Sequence, residues 1–197
     1  MNNQTSIQAK QTGTDLSAFN VDTYSAGPTW KVLVWFLINY FLFNTRVPWP
    51  YSFKCSLLRL FGAKIGKGVV IKTLVRIKKP WCLVIGNNSW IGESVWIDNL
   101  ENVFIGSNVC ISQGAMLLTG NHDYTLPSFP YRLGTIRIED GVWIGAKAIV
   151  CPNVVCKSHS ILTVQSVASK EMLAWTIYSG NPATIVRDRK MLQTKKV

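Results

Sequence analysis

An aliphatic or small residue returns at every sixth position over most of this chain. The series is Ile65, Ile71, Ile77; Ile85, Ile91, Ile97; Ile105, Ile111, Leu117; Ile138, Ile144, Val150; then, more weakly, Cys156, Leu162 and Ala168. Ten of these fifteen positions are isoleucine, and glycine follows at Gly66, Gly86, Gly92, Gly106 and Gly145. An amphipathic helix repeats near 3.6 residues and a strand near 2, and six is too regular for a series of hairpins. Six residues make one short strand and one corner, and three such units close a triangular coil. Stacked coils turn each aliphatic residue inward, over its counterpart one coil away, with backbone hydrogen bonds between coils about 4.8 Å apart. One coil cannot bury its own core, so several must stack. The expected fold is an all-β solenoid, a parallel β-helix of about five coils starting at Ile65, Ile85, Ile105, Ile138 and Cys156.

The first two intervals are 20 residues, which implies two-residue bulges at corners. The third is 33 residues, and its excess lies in a loop at 119–135. A long insertion on a compact solenoid is usually functional or disordered. Tyr124, Pro127, Phe129, Pro130 and Tyr131 favour an ordered loop. The remaining organisation reads as a loose polar arm (1–28), an apolar helical cap (29–62), the solenoid (63–172), and a C-terminal extension with a basic tail (173–197). Val32 to Phe43 reads VLVWFLINYFLF, about a dozen residues, where a bilayer span needs about 20. Two roles stay open for it: a helix at a membrane surface, or a helix packed over the solenoid end or in a subunit contact.

The five cysteines, Cys55, Cys82, Cys110, Cys151 and Cys156, are odd in number and contain no C-x-x-C pair. They read as reduced thiols of a cytoplasmic protein, with the inner face of the membrane as an open second location, and the N-terminus reads as free of a secretion signal. The formal charge of +11 attracts anions in general. No nucleic-acid-binding motif accompanies it. Outward residues precede each inward aliphatic. One column is Val70, Trp90, Cys110, Trp143, Ile161; a second is Arg76, Trp96, Met116, Ile149, Val167; a third, with the frame run on, is Cys82, Asn102, His122, Val155, Leu173. The first two are largely apolar, which marks an interface.

The repeat, the loop GNHDYTLPSFP, the run GNPATIVR and the stretch LLRLFGAKIGKGV before the coils resemble the hexapeptide-repeat acyltransferases, and among them the colanic acid biosynthesis type. The resemblance covers about Leu16 to Arg189. It implies a left-handed helix, a homotrimer, and acetyl-CoA-dependent O-acetyl transfer to a hydroxyl of a sugar or exopolysaccharide precursor, with no metal required. His122 matches the general base. Trp143 matches a tryptophan lining the acyl-CoA cleft, and Ala146 a backbone N–H facing the thioester carbonyl. Val164 matches an amide contact to the pantetheine arm, Ser169 and Lys170 a pair near the CoA phosphates, and Arg187 a basic residue at the adenosine end. Asp98 and Asn99, with Asp123 and Tyr124 on the loop, fall toward the acceptor. Glu93 stands where sugar acetyltransferases commonly have asparagine, which leaves acceptor identity open. N-acyl transfer to an amino-sugar and a non-catalytic β-helix scaffold are the alternatives. The zinc-dependent rival on this fold needs three histidines, and the chain has His122 and His159 alone.

Overall fold

The computed structural model describes residues 13–20 and 24–192. Residues 1–12 and 21–23 of the expected arm, and 193–197 of the basic tail, lie outside the described residues.

From Lys64 the chain winds as a left-handed parallel β-helix with three faces. The first face stacks Lys64–Ile65, Leu83–Ile85, Val103–Ile105, Ile136–Ile138 and Val155–Cys156. The second stacks Val70–Ile71, Trp90–Ile91, Cys110–Ile111, Trp143–Ile144 and Ile161–Leu162. The third stacks Arg76–Ile77, Trp96–Asp98, Met116–Leu118, Ile149–Val150 and Val167–Ala168. Register follows the repeat: Ile71 pairs with Ile91, Ile111, Ile144 and Leu162 in turn, and the other two faces do the same. Fourteen of the fifteen repeat positions are buried, with Ile65 in the end coil half-buried. The residue two places earlier also points inward, and on the third face it is small or β-branched, as Val75, Val95, Ala115 and Ala148 show.

Corners follow from the same sequence. The corner between the first and second faces uses a left-handed residue in every coil: Gly68, Asn88, Asn108, Gly141 and His159, with φ between 56° and 68°. Gly and Asn occupy that conformation at least cost. The two extra residues of the early coils sit at the third corner, where Pro80–Cys82 forms a 3-10 turn. The outward column of the first face is therefore Lys64, Val84, Phe104, Arg137 and Val155. Cys82, Asn102, His122 and Leu173, expected in that column, lie in corners or connecting segments instead, because the bulge residues build the corner rather than the strand.

The helices close the first coil. Helix α1 (Thr29–Ile38) runs into a π-helical turn (Asn39–Phe43), and α2 spans Tyr51–Leu60. The first coil has no preceding neighbour for its carbonyls, and side chains take that place. Arg59 donates to the carbonyls of Ile65 and Gly66, at 3.0 and 2.9 Å from Nη2. Cys55 donates to Val69, and the buried Lys54 ammonium to Ile71 and Lys72. Burial lowers the pKa of Lys54 from its ordinary value. Trp35 Nε1 donates to the Ile77 carbonyl at 2.7 Å, and Asn39 Oδ1 accepts from the Ile77 N–H at 3.2 Å. So α2 is the cap proper, while α1 meets the coils chiefly through Trp35.

At the far end the second face continues past residue 172. Thr176–Gly180 pairs in parallel with Ile161–Leu162, then turns back as the antiparallel strand Ala183–Asp188. Five coils thus carry a partial sixth. Deep burial pushes the Cys156 thiol up to about 12, and its sulfur lies 3.7 Å from Met172.

Tight stacking leaves no room for a side chain at Gly86. A Cβ on Gly86 would lie 2.5 Å from the carbonyl carbon of Gly106. Gly86→Ala is expected to lower unfolding free energy by about 1–3 kcal/mol. Gly13→Ala, with nothing within 4 Å, is expected to change it by less than about 0.5 kcal/mol. Denaturant titration of both variants checks this, and equal stabilities would refute the packing argument.

Candidate functional site

The inserted loop is a pinned hairpin rather than a free excursion. Asn121 and Arg132 exchange backbone hydrogen bonds at 3.1 and 2.7 Å, Asp123 N–H donates to the Pro130 carbonyl, and Gly134 N–H to Thr119. His122 bridges Tyr131 within this ladder. Its ring stacks on Phe129, with centroids 4.5 Å apart, and tilts against Tyr131 at 4.9 Å. Nδ1 lies 2.8 Å from the Phe129 carbonyl oxygen. A carbonyl only accepts, so Nδ1 carries the proton and donates it. In the neutral ring Nε2 is then the basic nitrogen.

Asp123 does not orient this histidine. Its carboxylate accepts from the Thr125 hydroxyl and from the Thr125 N–H at 3.0 Å, and these bonds hold its pKa below the usual carboxylate value. Tyr124 stands at the loop tip, 79% exposed. The N-terminal arm supplies what sequence reasoning missed. Asp15 N–H donates to the Pro127 carbonyl at 2.8 Å. Phe19 packs edge-on to Tyr131 at 5.3 Å and reaches His122 at 6.0 Å, and Tyr24 meets Tyr131 at 5.5 Å. The expected loose arm is, over its described part, strapped to the loop. Polar composition gave no sign of this, because two aromatic anchors suffice.

A second feature lies at the corner between the second and third faces. Ser112, Gln113, Trp143, Gly145, Ala146, Ile161, Leu162, Thr163 and Val164 line a groove of about 400 Å³, within the range of small-molecule sites. The exposed indole of Trp143 donates from Nε1 to Ser112 Oγ at 2.9 Å, which fixes its ring along the groove wall. At this corner the N–H groups of Thr73, Glu93, Gln113, Ala146 and Val164 have no acceptor among the described residues. The opposite holds one corner earlier. There the N–H groups of Lys67, Asn87 and Ser107 are taken by the side chains of Asn87, Ser107 and Asp140 in the next coil. One edge of the prism thus carries a line of unspent backbone donors, while its neighbour is sealed by short polar side chains.

The remaining expected residues are dispersed. Ser169 and Lys170 are exposed at the third corner of the last full coil. Arg187 is exposed on the terminal strand, opposite Ile177. Asp98 lies 3.0 Å from the Lys78 ammonium. Its Oδ1 makes no well-aligned hydrogen bond, so that contact is ionic. Asn99 is fully buried, its amide bonded at both ends to the Lys79 backbone. That clasps two coils together and turns no atom outward. Trp143, Ala146 and Val164 therefore come together. His122 does not join them within one chain, because its loop leaves at the end of the third face. One side of the prism, up to about 20 Å for six extended residues, intervenes. Among the described residues no group of three His, Cys, Asp or Glu is placed to hold a metal.

No family model matches the chain. The WcaF protein of Escherichia coli (strain K12), named for acetyl transfer in colanic acid biosynthesis, is 35% identical over 176 residues, 89% of this chain and 97% of that protein. Among solved structures, galactoside acetyltransferase in complex with coenzyme A superposes with a TM-score of 0.73, at 22% identity, over 85% of this chain and 88% of its own. A maltose O-acetyltransferase from Clostridium difficile 630 gives 0.71 at 22% identity, covering 85% and 92%.

The histidine geometry makes a direct prediction. Nitrogen-15 spectra at a pH where His122 is neutral should show Nδ1 protonated and Nε2 bare, with the ring signals broadened in Phe19→Ala. A proton on Nε2 would contradict the bond to Phe129.

Proposed function

Because the chain belongs to the acetyltransferases of the colanic acid biosynthesis type, on the hexapeptide-repeat fold, we propose that it moves an acetyl group from acetyl-CoA to a hydroxyl of a sugar or exopolysaccharide precursor. The observation that carries the reading is the state of His122: Nδ1–H committed to a backbone carbonyl, the ring held between aromatic neighbours, Nε2 left basic. That is the arrangement a general base needs. Nε2 takes the proton of the acceptor hydroxyl as its oxygen bonds to the acyl carbon. Histidine returns the proton to the sulfur as the C–S bond breaks, so ester and free thiol form and the base is regenerated. The Ala146 N–H, rigid and without an acceptor among the described residues, stabilises the oxyanion.

The groove residues fit the donor. An extended pantetheine arm carries amides, and the line of free N–H groups ending at Ala146 and Val164 offers them partners. Trp143 supplies the apolar wall, and Ser169, Lys170 and Arg187 supply a hydroxyl and two cations for phosphates. The donor groove and the base occupy different corners, so a working site takes the loop of one subunit and the groove of another. Trp90 and Trp143, 57% and 46% exposed on the second face, support a three-fold assembly that covers them. Asp98, Asp123 and Tyr124 border the acceptor side in this reading.

His122→Ala is expected to lower kcat by at least about 10²-fold with CoA binding little changed. Lys170→Ala and Arg187→Ala should instead raise the KM for acetyl-CoA, because they hold a part of the donor that does not react. Steady-state kinetics separate the two patterns. Near-normal turnover of His122→Ala would remove the histidine from the mechanism.

A further inference from the structure

Eight of the ten residues of α1 are apolar, yet Trp35 alone is buried. Trp30, Leu33, Phe36, Leu37, Tyr40 and Phe41 stand 54–66% exposed on α1 and its π-helical extension. Farther along, Trp49, Tyr51 and Phe53 are exposed as well. So continuous an apolar surface marks a binding face. Charge says what it faces. Residues 23–92 contain ten Lys and Arg and no Asp or Glu, while the rest of the chain carries eleven cations against ten acids. That stretch forms the helices and the first coils, so the basic excess is concentrated at the helical end of the solenoid, where Asp98 of the second coil offsets one cation at Lys78. Arg46, Lys64, Lys67, Lys72 and Arg76 are exposed there.

We propose that the outer face of α1 and the segment after it docks onto an anionic lipid bilayer, lying in the interface with the surrounding cations on the headgroups. An interfacial helix shows this combination: apolar and aromatic residues on the buried side, basic residues at the margin. The aromatic residues Trp30, Tyr40, Trp49 and Tyr51 suit the headgroup level. No described helix is long and apolar enough to cross a membrane, so the contact is peripheral. Two copies meeting through this face would bring together cations that have no acid partner among the described residues, which disfavours self-association. Nucleic acid would use the cations but not the exposed Leu33, Phe36 and Phe41. The docking does not depend on the acetyl-transfer reading; under that reading it holds the site beside an acceptor made or carried at the membrane surface.

Flotation of the full chain with phosphatidylcholine–phosphatidylglycerol vesicles tests the proposal, beside vesicles of phosphatidylcholine alone. The chain should float with the anionic vesicles, less with neutral ones, and less as salt rises. Leu33→Ser/Phe36→Ser should cut vesicle binding at least about tenfold. Arg46→Glu/Lys64→Glu should cut binding to anionic vesicles alone. All variants should keep the native mass by light scattering, since the four side chains are exposed. Absence of flotation at low salt would overturn the proposal. So would full binding by Leu33→Ser/Phe36→Ser, which would reduce the contact to bulk charge. A fall in its mass would assign the face to a second copy instead.

Discussion

Every strand in this molecule is two or three residues long in the solenoid proper, and none can satisfy its backbone alone. The hydrogen bonds that matter run from coil to coil, so each coil is the template for the next, and the pile has two edges that must be closed. At the first edge Arg59, Cys55, Lys54 and Trp35 donate to carbonyls on all three faces. Burying a lysine without a carboxylate costs stability, and here its donors meet two carbonyls that would otherwise go unpaired. At the other edge an antiparallel hairpin ends the second face, and Arg189 reaches back to the carbonyls of Gly141 and His159.

Coil-to-coil bonding also decides where chemistry can happen. Strand interiors spend their backbone groups, and corners are where groups are left over. At the corner between the first and second faces, Asn87, Ser107 and Asp140 absorb the leftover N–H groups. At the next corner the equivalent donors point out beside Trp143. At the third corner the chain leaves the frame and returns with a histidine whose tautomer is set by its own loop. A rigid solenoid thus holds the groove beside Trp143 and the histidine loop, the proposed donor site and base, at fixed heights along one axis. That precision is what a general base and an oxyanion donor require of each other.

The repeat made the fold legible before any coordinate, because a period of six admits no helix and no ordinary hairpin. The inward residues were read correctly for all three faces. The outward column of the first face was not, because two extra residues at a corner look in sequence like a continuation of the frame. Trp143 and Ala146 were legible only through the resemblance of their stretch to the family, and Val164 joined them because it stands 18 residues, one coil, beyond Ala146. Two things were not. The acceptor of His122 Nδ1 is a main-chain carbonyl, which no residue type advertises. The arm looked loose because its two aromatic anchors, Phe19 and Tyr24, are separated by residues of no pattern. Asn99 carried the appearance of a site residue and proved fully buried, since clasping coils and touching a ligand call for the same amide.

The central claim is that base and donor groove come from different subunits. It is tested by co-expressing a His122→Ala chain with a Val164→Glu chain, in which an exposed groove position is filled with an acid that repels CoA phosphates. Each parent alone should be nearly inactive. Random mixing should restore activity toward about a quarter of wild type, the share of interfaces that join an intact loop to an intact groove. Mixed assemblies no more active than either parent would contradict the shared site and place the whole reaction within single chains.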